Sequence, residues 1–126
     1  MQTEERDKPL KGMRILVADD ELLIAITLEQ TFREAGADVI RASTVQSALS
    51  GAEQTPLSAA VLDVRMGTAT TETVAEVLVR RRIPFLFYSG QPLPDAMREK
   101  FPDATVLVKP VRQSAFLDEL LKEMRR

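Results

Sequence analysis

Apolar residues along this chain alternate between two rhythms. Short, nearly unbroken apolar runs occur at Arg14-Ile15-Leu16-Val17-Ala18, Ala59-Ala60-Val61-Leu62-Asp63-Val64, Ile83-Pro84-Phe85-Leu86-Phe87-Tyr88 and Thr105-Val106-Leu107-Val108. Runs of that length, bounded by turn residues, predict strands buried on both faces of a parallel sheet. Ala37 to Ala42 predicts one more strand, short and half polar, toward a sheet edge. Between these runs the apolar positions recur at helical spacing. Ile24, Leu28 and Phe32 lie at i, i+4 and i+8, with Gly36 as the stop. A second helix carries Val45, Ala48, Leu49 and Ala52, opened by a capping box from Ser43 to Gln46 and ended before Pro56. A loop through Gly67 to Thr71 precedes a third helix that buries Val74, Val77 and Leu78. Arg80-Arg81-Arg82 closes it as a solvated end, with cations at the negative pole of the dipole. Pro92 and Pro94 delay a short fourth helix near Asp95 to Phe101, and the last helix gathers Phe116, Leu117, Leu120, Leu121 and Met124 on one face.

Five strands alternating with five helices predict an α/β fold: a parallel sheet covered on both faces, with right-handed crossovers. In such a sheet every strand ends on the same rim, where open α/β sheets place their ligands. The strands here end in Asp19-Asp20, Asp63, Ser89 and Lys109. Four separate strands therefore deliver polar groups to one place.

Composition narrows the chemistry available there. A chain of 126 residues, 44% hydrophobic and 29% charged, suits one globular domain. A net charge of −2 gives no footing for nucleic acid or an anionic membrane. No apolar run has transmembrane length and no signal-peptide pattern opens the chain, which favours the cytoplasm. The chain has no Cys and no His, which excludes thiolate metal sites, His-ligated zinc and Ser–His–Asp or Cys–His catalysis. Neither GxGxxG nor GxxxxGK[ST] occurs, so no recognised nucleotide-phosphate cradle is present. Carboxylates, hydroxyls and amines remain. Residues 1–12, charged and nearly without apolar groups, read as a flexible leader, and 13–126 as the domain.

Three carboxylates gathered on one rim repel: two unit charges ~4 Å apart at an effective dielectric of 20 cost about 4 kcal/mol. The cluster calls for raised pKa values or a cation, and Mg²⁺ suits one or two carboxylates plus waters and a phosphate. Asp20 and Asp63 are assigned as direct ligands, Asp19 as one acting through water, and the Arg65 backbone carbonyl as a further ligand. With Mg²⁺ in place, phosphoryl transfer to the Asp63 carboxylate becomes feasible. The ion would take one phosphoryl oxygen, the Lys109 ammonium a second, and the Ser89 hydroxyl with nearby backbone N–H groups the rest.

These residues resemble the receiver domains of two-component response regulators. VADDE, VLDV, FYSG and VKP match that family's acidic pair, phospho-accepting Asp, hydroxyl residue and Lys-Pro, in order, across Met13 to Arg126. The resemblance implies a flavodoxin-like (βα)5 doubly wound sheet of order 2-1-3-4-5 and a cis Lys109-Pro110 bond. It implies as partner a histidine kinase or phosphotransfer protein, which must be another molecule because this chain has no His. A narrower likeness joins Asp63 to Gly67 and Pro84 to Gly90 to the receiver branch whose fourth strand reads PFxFATGY, often single-domain, with Gly four residues after the Asp.

The chain also departs from the family. Val106 stands three residues before Lys109, where the family usually has Tyr or Phe, so switching through a rotating ring is in question. Arg65 and Gln91, the latter beyond Ser89-Gly90, occupy positions that in the family border the path of the hydrolytic water. Two other functions compete with the phospho-accepting one. A pseudo-receiver that is never phosphorylated would serve as a docking module. A Mg²⁺-dependent phosphohydrolase with an Asp nucleophile would usually carry a second Asp where Arg65 stands.

Overall fold

The computed structural model describes residues 8–125. Strand β1 (Arg14–Ala18) leads to helix α1 (Leu22–Glu34), β2 (Asp38–Ala42), α2 (Val45–Gln54) and β3 (Ala59–Asp63). A short pair, β4 (Arg65–Met66) and β5 (Ala69–Thr70), precedes α3 (Glu72–Arg80). Then come β6 (Phe85–Ser89), α4 (Asp95–Lys100), β7 (Thr105–Val108) and α5 (Gln113–Arg125). The main sheet is parallel throughout, in the order β2-β1-β3-β6-β7. Once the β4–β5 pair is set aside, this is the implied 2-1-3-4-5 order, and the half-polar β2 does lie at an edge.

Alternation along the strands sorts the helices. Leu16, Ala18, Ala60, Leu62 and Phe87 pack with buried residues of α2, α3 and α4 on one face. Ile15, Val17, Ala59, Val61, Leu86 and Tyr88 pack with α1 and α5 on the other. Every residue of β3 is buried, as a central strand covered on both sides requires. The opposite edge strand, β7, is only half-buried and exposes Val108.

Four details depart from the sequence-based expectation. The α2 cap is Thr44 rather than Ser43: its hydroxyl accepts the Ser47 N–H at 3.0 Å, and the Ser47 hydroxyl accepts the Thr44 N–H at 3.2 Å. A Ser side chain closes that box as well as the expected Gln would. The loop after β3 is not structureless, because Arg65 pairs with Thr70 and Met66 with Ala69 in an antiparallel hairpin. Gly67 turns it at φ +62°, a conformation that costs glycine little. Arg81 is not merely solvated, since its guanidinium donates to the Ala52 and Thr55 carbonyls at the open end of α2.

The fourth departure concerns the expected leader, of which residues 1–7 lie outside the described part. Leu10 is fully buried beside Phe32 and Ile15 in the α1 and α5 cluster, and its N–H donates to Ala35 O at 2.8 Å. One apolar residue among charges gives no periodic signal, yet it covers the C-terminal end of α1. Gly36 ends that helix as expected, at φ +103°, and a Cβ there would fall 2.9 Å from the Lys11 backbone nitrogen. Gly36→Ala therefore adds both strain and a clash, and is expected to lower stability by about 2 kcal/mol or more in urea denaturation.

Candidate functional site: a carboxylate rim with one lysine

The parallel register brings the strand ends together. Val17 pairs with Val61 and Ala18 with Leu62, so Asp19 follows β1 beside Asp63 at the end of β3. Asp63 pairs in turn with Tyr88 of β6, and Tyr88 with Leu107 of β7, two residues before Lys109. By alternation Asp19, Asp63, Tyr88 and Lys109 share the parity of the face toward α1 and α5. Ser89 has the opposite parity.

Asp19, Asp20 and Asp63 each present a carboxylate oxygen, and the three atoms lie within 4.8 Å of one another. Asp19 and Asp63 are buried and Asp20 is exposed. Each has further work. Asp19 Oδ1 accepts the Glu21 N–H at 2.8 Å, which settles the chain into α1, and Asp19 Oδ2 accepts the Tyr88 hydroxyl. Asp20 Oδ2 accepts the Gly67 N–H at 2.8 Å, tying the hairpin tip to the rim. The Asp63 backbone carbonyl accepts the buried Thr71 hydroxyl at 2.9 Å.

The Lys109 ammonium stands 3.4 Å from Asp63 Oδ2 and 3.6 Å from Glu21 Oε1, and 5.0 Å from the centre of the Tyr88 ring. It follows a cis Lys109-Pro110 bond, as the resemblance implied. Burial raises the Asp63 carboxyl, and the neighbouring Asp19 charge raises it further; Lys109 offsets part of this, leaving Asp63 at about 6. That is the electrostatic signature of crowded carboxylates short of positive charge. An oxygen-only donor set under such repulsion fits a hard divalent cation.

The other residues singled out from sequence are distributed as follows. Ser89 is buried at the end of β6, its hydroxyl accepts the Gln91 N–H at 3.1 Å, and its carbonyl accepts the Lys109 N–H at 2.8 Å. It is thus tied to Lys109 through the backbone, while its hydroxyl organises the Ser89-Gly90-Gln91 turn. Gly90 and Gln91 are exposed there. Arg65 is exposed in β4, two residues past Asp63. Val106 is half-buried against the α2–α4 core, where aromatic bulk is supplied instead by Phe85, Phe87 and Phe101, in mutual ring contact at 5.3–6.2 Å. The sequence points to Tyr88 as a core residue, which it is, but assigns no part in the site to Tyr88, Glu21 or Thr71. For Tyr88 a signal existed: it shares strand parity with the acidic positions and immediately precedes Ser89.

No family model matches the sequence, and no curated protein is significantly similar to it. Solved structures, in contrast, match over most of the chain. A response regulator receiver protein from Sinorhizobium medicae WSM419 has a TM-score of 0.80 at 23% identity, over 92% of this chain and 97% of that one. The non-phosphorylated HemR receiver domain from Leptospira biflexa has a TM-score of 0.79 at 24% identity, over 91% and 96%. A response regulator from Burkholderia pseudomallei, solved with a phosphorylated aspartic acid, a calcium ion and citrate, has a TM-score of 0.76 at 21% identity, over 90% and 69%. Taken with the parallel sheet order and five helices, these likenesses identify the chain's fold as that of the CheY-like response regulator receiver domains.

Proposed function

We propose that this protein is a phospho-accepting receiver of a two-component pathway, with Asp63 as acceptor. The observation that carries the reading is a buried carboxylate at a strand end, flanked by two further carboxylates within 4.8 Å and by a lysine 3.4 Å away. A structural ion pair would not need three acids around one amine. In the reaction a carboxylate oxygen of Asp63 attacks the phosphorus of a phosphohistidine on another protein. The P–O bond forms as the P–N bond breaks, and the leaving imidazole keeps the electron pair and takes a proton. The Lys109 ammonium, 3.4 Å from Asp63, would pair with a phosphoryl oxygen, and Ser89 would meet another once its hydroxyl turns from Gln91.

Mg²⁺ bound here would act as a Lewis acid on the phosphoryl group. Asp20 and Asp63 would hold it directly, Asp19 through water, and the Arg65 carbonyl would complete the protein's share. The phosphorylated aspartate and calcium ion in the Burkholderia pseudomallei response regulator support this reading through the shared fold. Phosphorylation would then be passed on by protein contact, as charge on Asp63 draws Ser89 and Lys109 and biases the surface around β6, β7 and their helices.

The test is incubation with a small phosphodonor and Mg²⁺, followed by intact mass. One added phosphoryl group per chain supports the proposal. No gain favours a docking module, and sustained turnover of donor without accumulation favours a phosphohydrolase. A second prediction concerns lifetime. Arg65 is exposed beside the rim, so Arg65→Ala opens a route for water and is expected to change the decay rate of the phosphorylated form severalfold; equal decay for variant and parent would count against it.

A further inference from the structure

Tyr88 is fully buried, yet its hydroxyl is not idle. A Phe would fill the same space: the ring lies edge-on to Phe116 with centroids 5.1 Å apart, inside the α1 and α5 cluster. A buried hydroxyl costs free energy unless it finds a partner, and this one donates to Asp19 Oδ2. Asp19 is itself 1% exposed, so bulk solvent reaches little of that carboxylate. The face of the same ring lies 5.0 Å from the Lys109 ammonium, within the range of a cation–π contact. Three elements of the rim, β1, β6 and the segment after β7, thus meet on one side chain.

We propose that Tyr88 is a positioning residue of the acidic site: its hydroxyl fixes the Asp19 carboxylate toward the cation, and its ring seats the Lys109 ammonium beside Asp63. The proposal rests on the reading of the rim as a Mg²⁺-dependent phosphoryl-transfer centre. A carboxylate offers about four lone-pair sites. The Tyr88 hydroxyl takes one on Oδ2 and the Glu21 N–H takes one on Oδ1, which leaves one on each oxygen for the shell around an ion. Outer groups of this kind, which orient a ligand without touching the metal, commonly change affinity by about 10–100-fold when removed.

The chain offers its own probe. Tyr88 is its one Tyr and there is no Trp, so near-ultraviolet tyrosine emission reports this hydroxyl alone. A phenol that donates to a carboxylate emits weakly. Asp19→Asn is therefore expected to brighten the metal-free protein, and adding Mg²⁺ to the parent to change its emission saturably. Tyr88→Phe, which keeps the ring and the packing, is expected to weaken Mg²⁺ binding about tenfold by calorimetry, with circular dichroism unchanged. In an Asp19→Asn background the same substitution is expected to have little further effect, because the two residues act as one unit. Three results overturn the proposal while leaving the phospho-acceptor reading intact: Mg²⁺ affinity of Tyr88→Phe within twofold of the parent, a Tyr88→Phe loss that adds in full to Asp19→Asn, or parent emission indifferent to Asp19→Asn. A parent that binds no Mg²⁺ at all overturns the acidic-site reading, and this inference with it.

Discussion

Asp63→Asn is expected to abolish the phosphoryl mass gain and, without Mg²⁺, to make the protein more stable at neutral pH. The first effect follows because an amide cannot form the acyl-phosphate. The second follows from the electrostatics of the rim. Asp63 titrates near 6 in the folded chain against 3.8 for a free side chain, because burial and Asp19 disfavour its charge. Between those values the folded state binds more protons than the unfolded state, so stability falls as pH rises. Below the unfolded value both states are protonated and nothing is lost; above about 6 the full penalty is present. One pKa unit corresponds to about 1.4 kcal/mol, and solvent at the rim screens part of it, so the amide is expected to gain about 1–2 kcal/mol near pH 8. Thermal unfolding over a pH series checks this: the advantage of the variant should shrink toward about pH 4, and saturating Mg²⁺ should reverse it, since a bound cation stabilises the parent more than a variant that lacks the Asp63 carboxylate. A variant less stable than the parent near pH 8 would contradict the strained-carboxylate account.

Lys109→Ala is the second large effect. The ammonium is the one cation within 4.0 Å of the Asp63 carboxylate among the described residues. Its loss removes the charge expected to meet the transferred phosphoryl group, and losing one such electrostatic donor typically costs about 10²–10³ in rate. Phosphorylation from a small donor is therefore expected to slow by roughly that factor, measured as the initial rate of mass gain at saturating Mg²⁺. Glu21 sharpens the comparison. It stands 3.6 Å from the same ammonium with an exposed side chain, an ion pair of little stabilising worth. Comparable slowing in Glu21→Gln would show that the Lys109 effect comes from disrupted local structure rather than from its charge.

Much of this arrangement was legible along the chain, for identifiable reasons. Buried strands announce themselves as apolar runs, and a parallel sheet puts all their ends on one rim; that is why the sequence alone groups Asp19, Asp20, Asp63, Ser89 and Lys109. The 3.6-residue spacing of Leu28 and Phe32, or of Phe116 and Leu120, marked helix faces that are buried in the structure. The hairpin of Arg65–Met66 and Ala69–Thr70 was not legible, because strands of two residues carry no period. Nor was the shift of the α2 cap to Thr44, since Ser43 and Thr44 are both capping residue types and Ser is the better of the two, so propensity alone points to the wrong one.

The sequence by itself determined the alternation of elements, the two-sided burial of β3 and the charged and hydroxyl residues that end the strands, because local periodicity and strand parity act over a few neighbours. The tertiary structure alone decided the partnerships on the rim. Tyr88 donates to Asp19 across 69 positions of sequence, and Gly67 to Asp20 across 47. Such contacts depend on strand order and register, properties of the whole sheet that no short stretch encodes, and they settle how three mutually repelling carboxylates are held side by side.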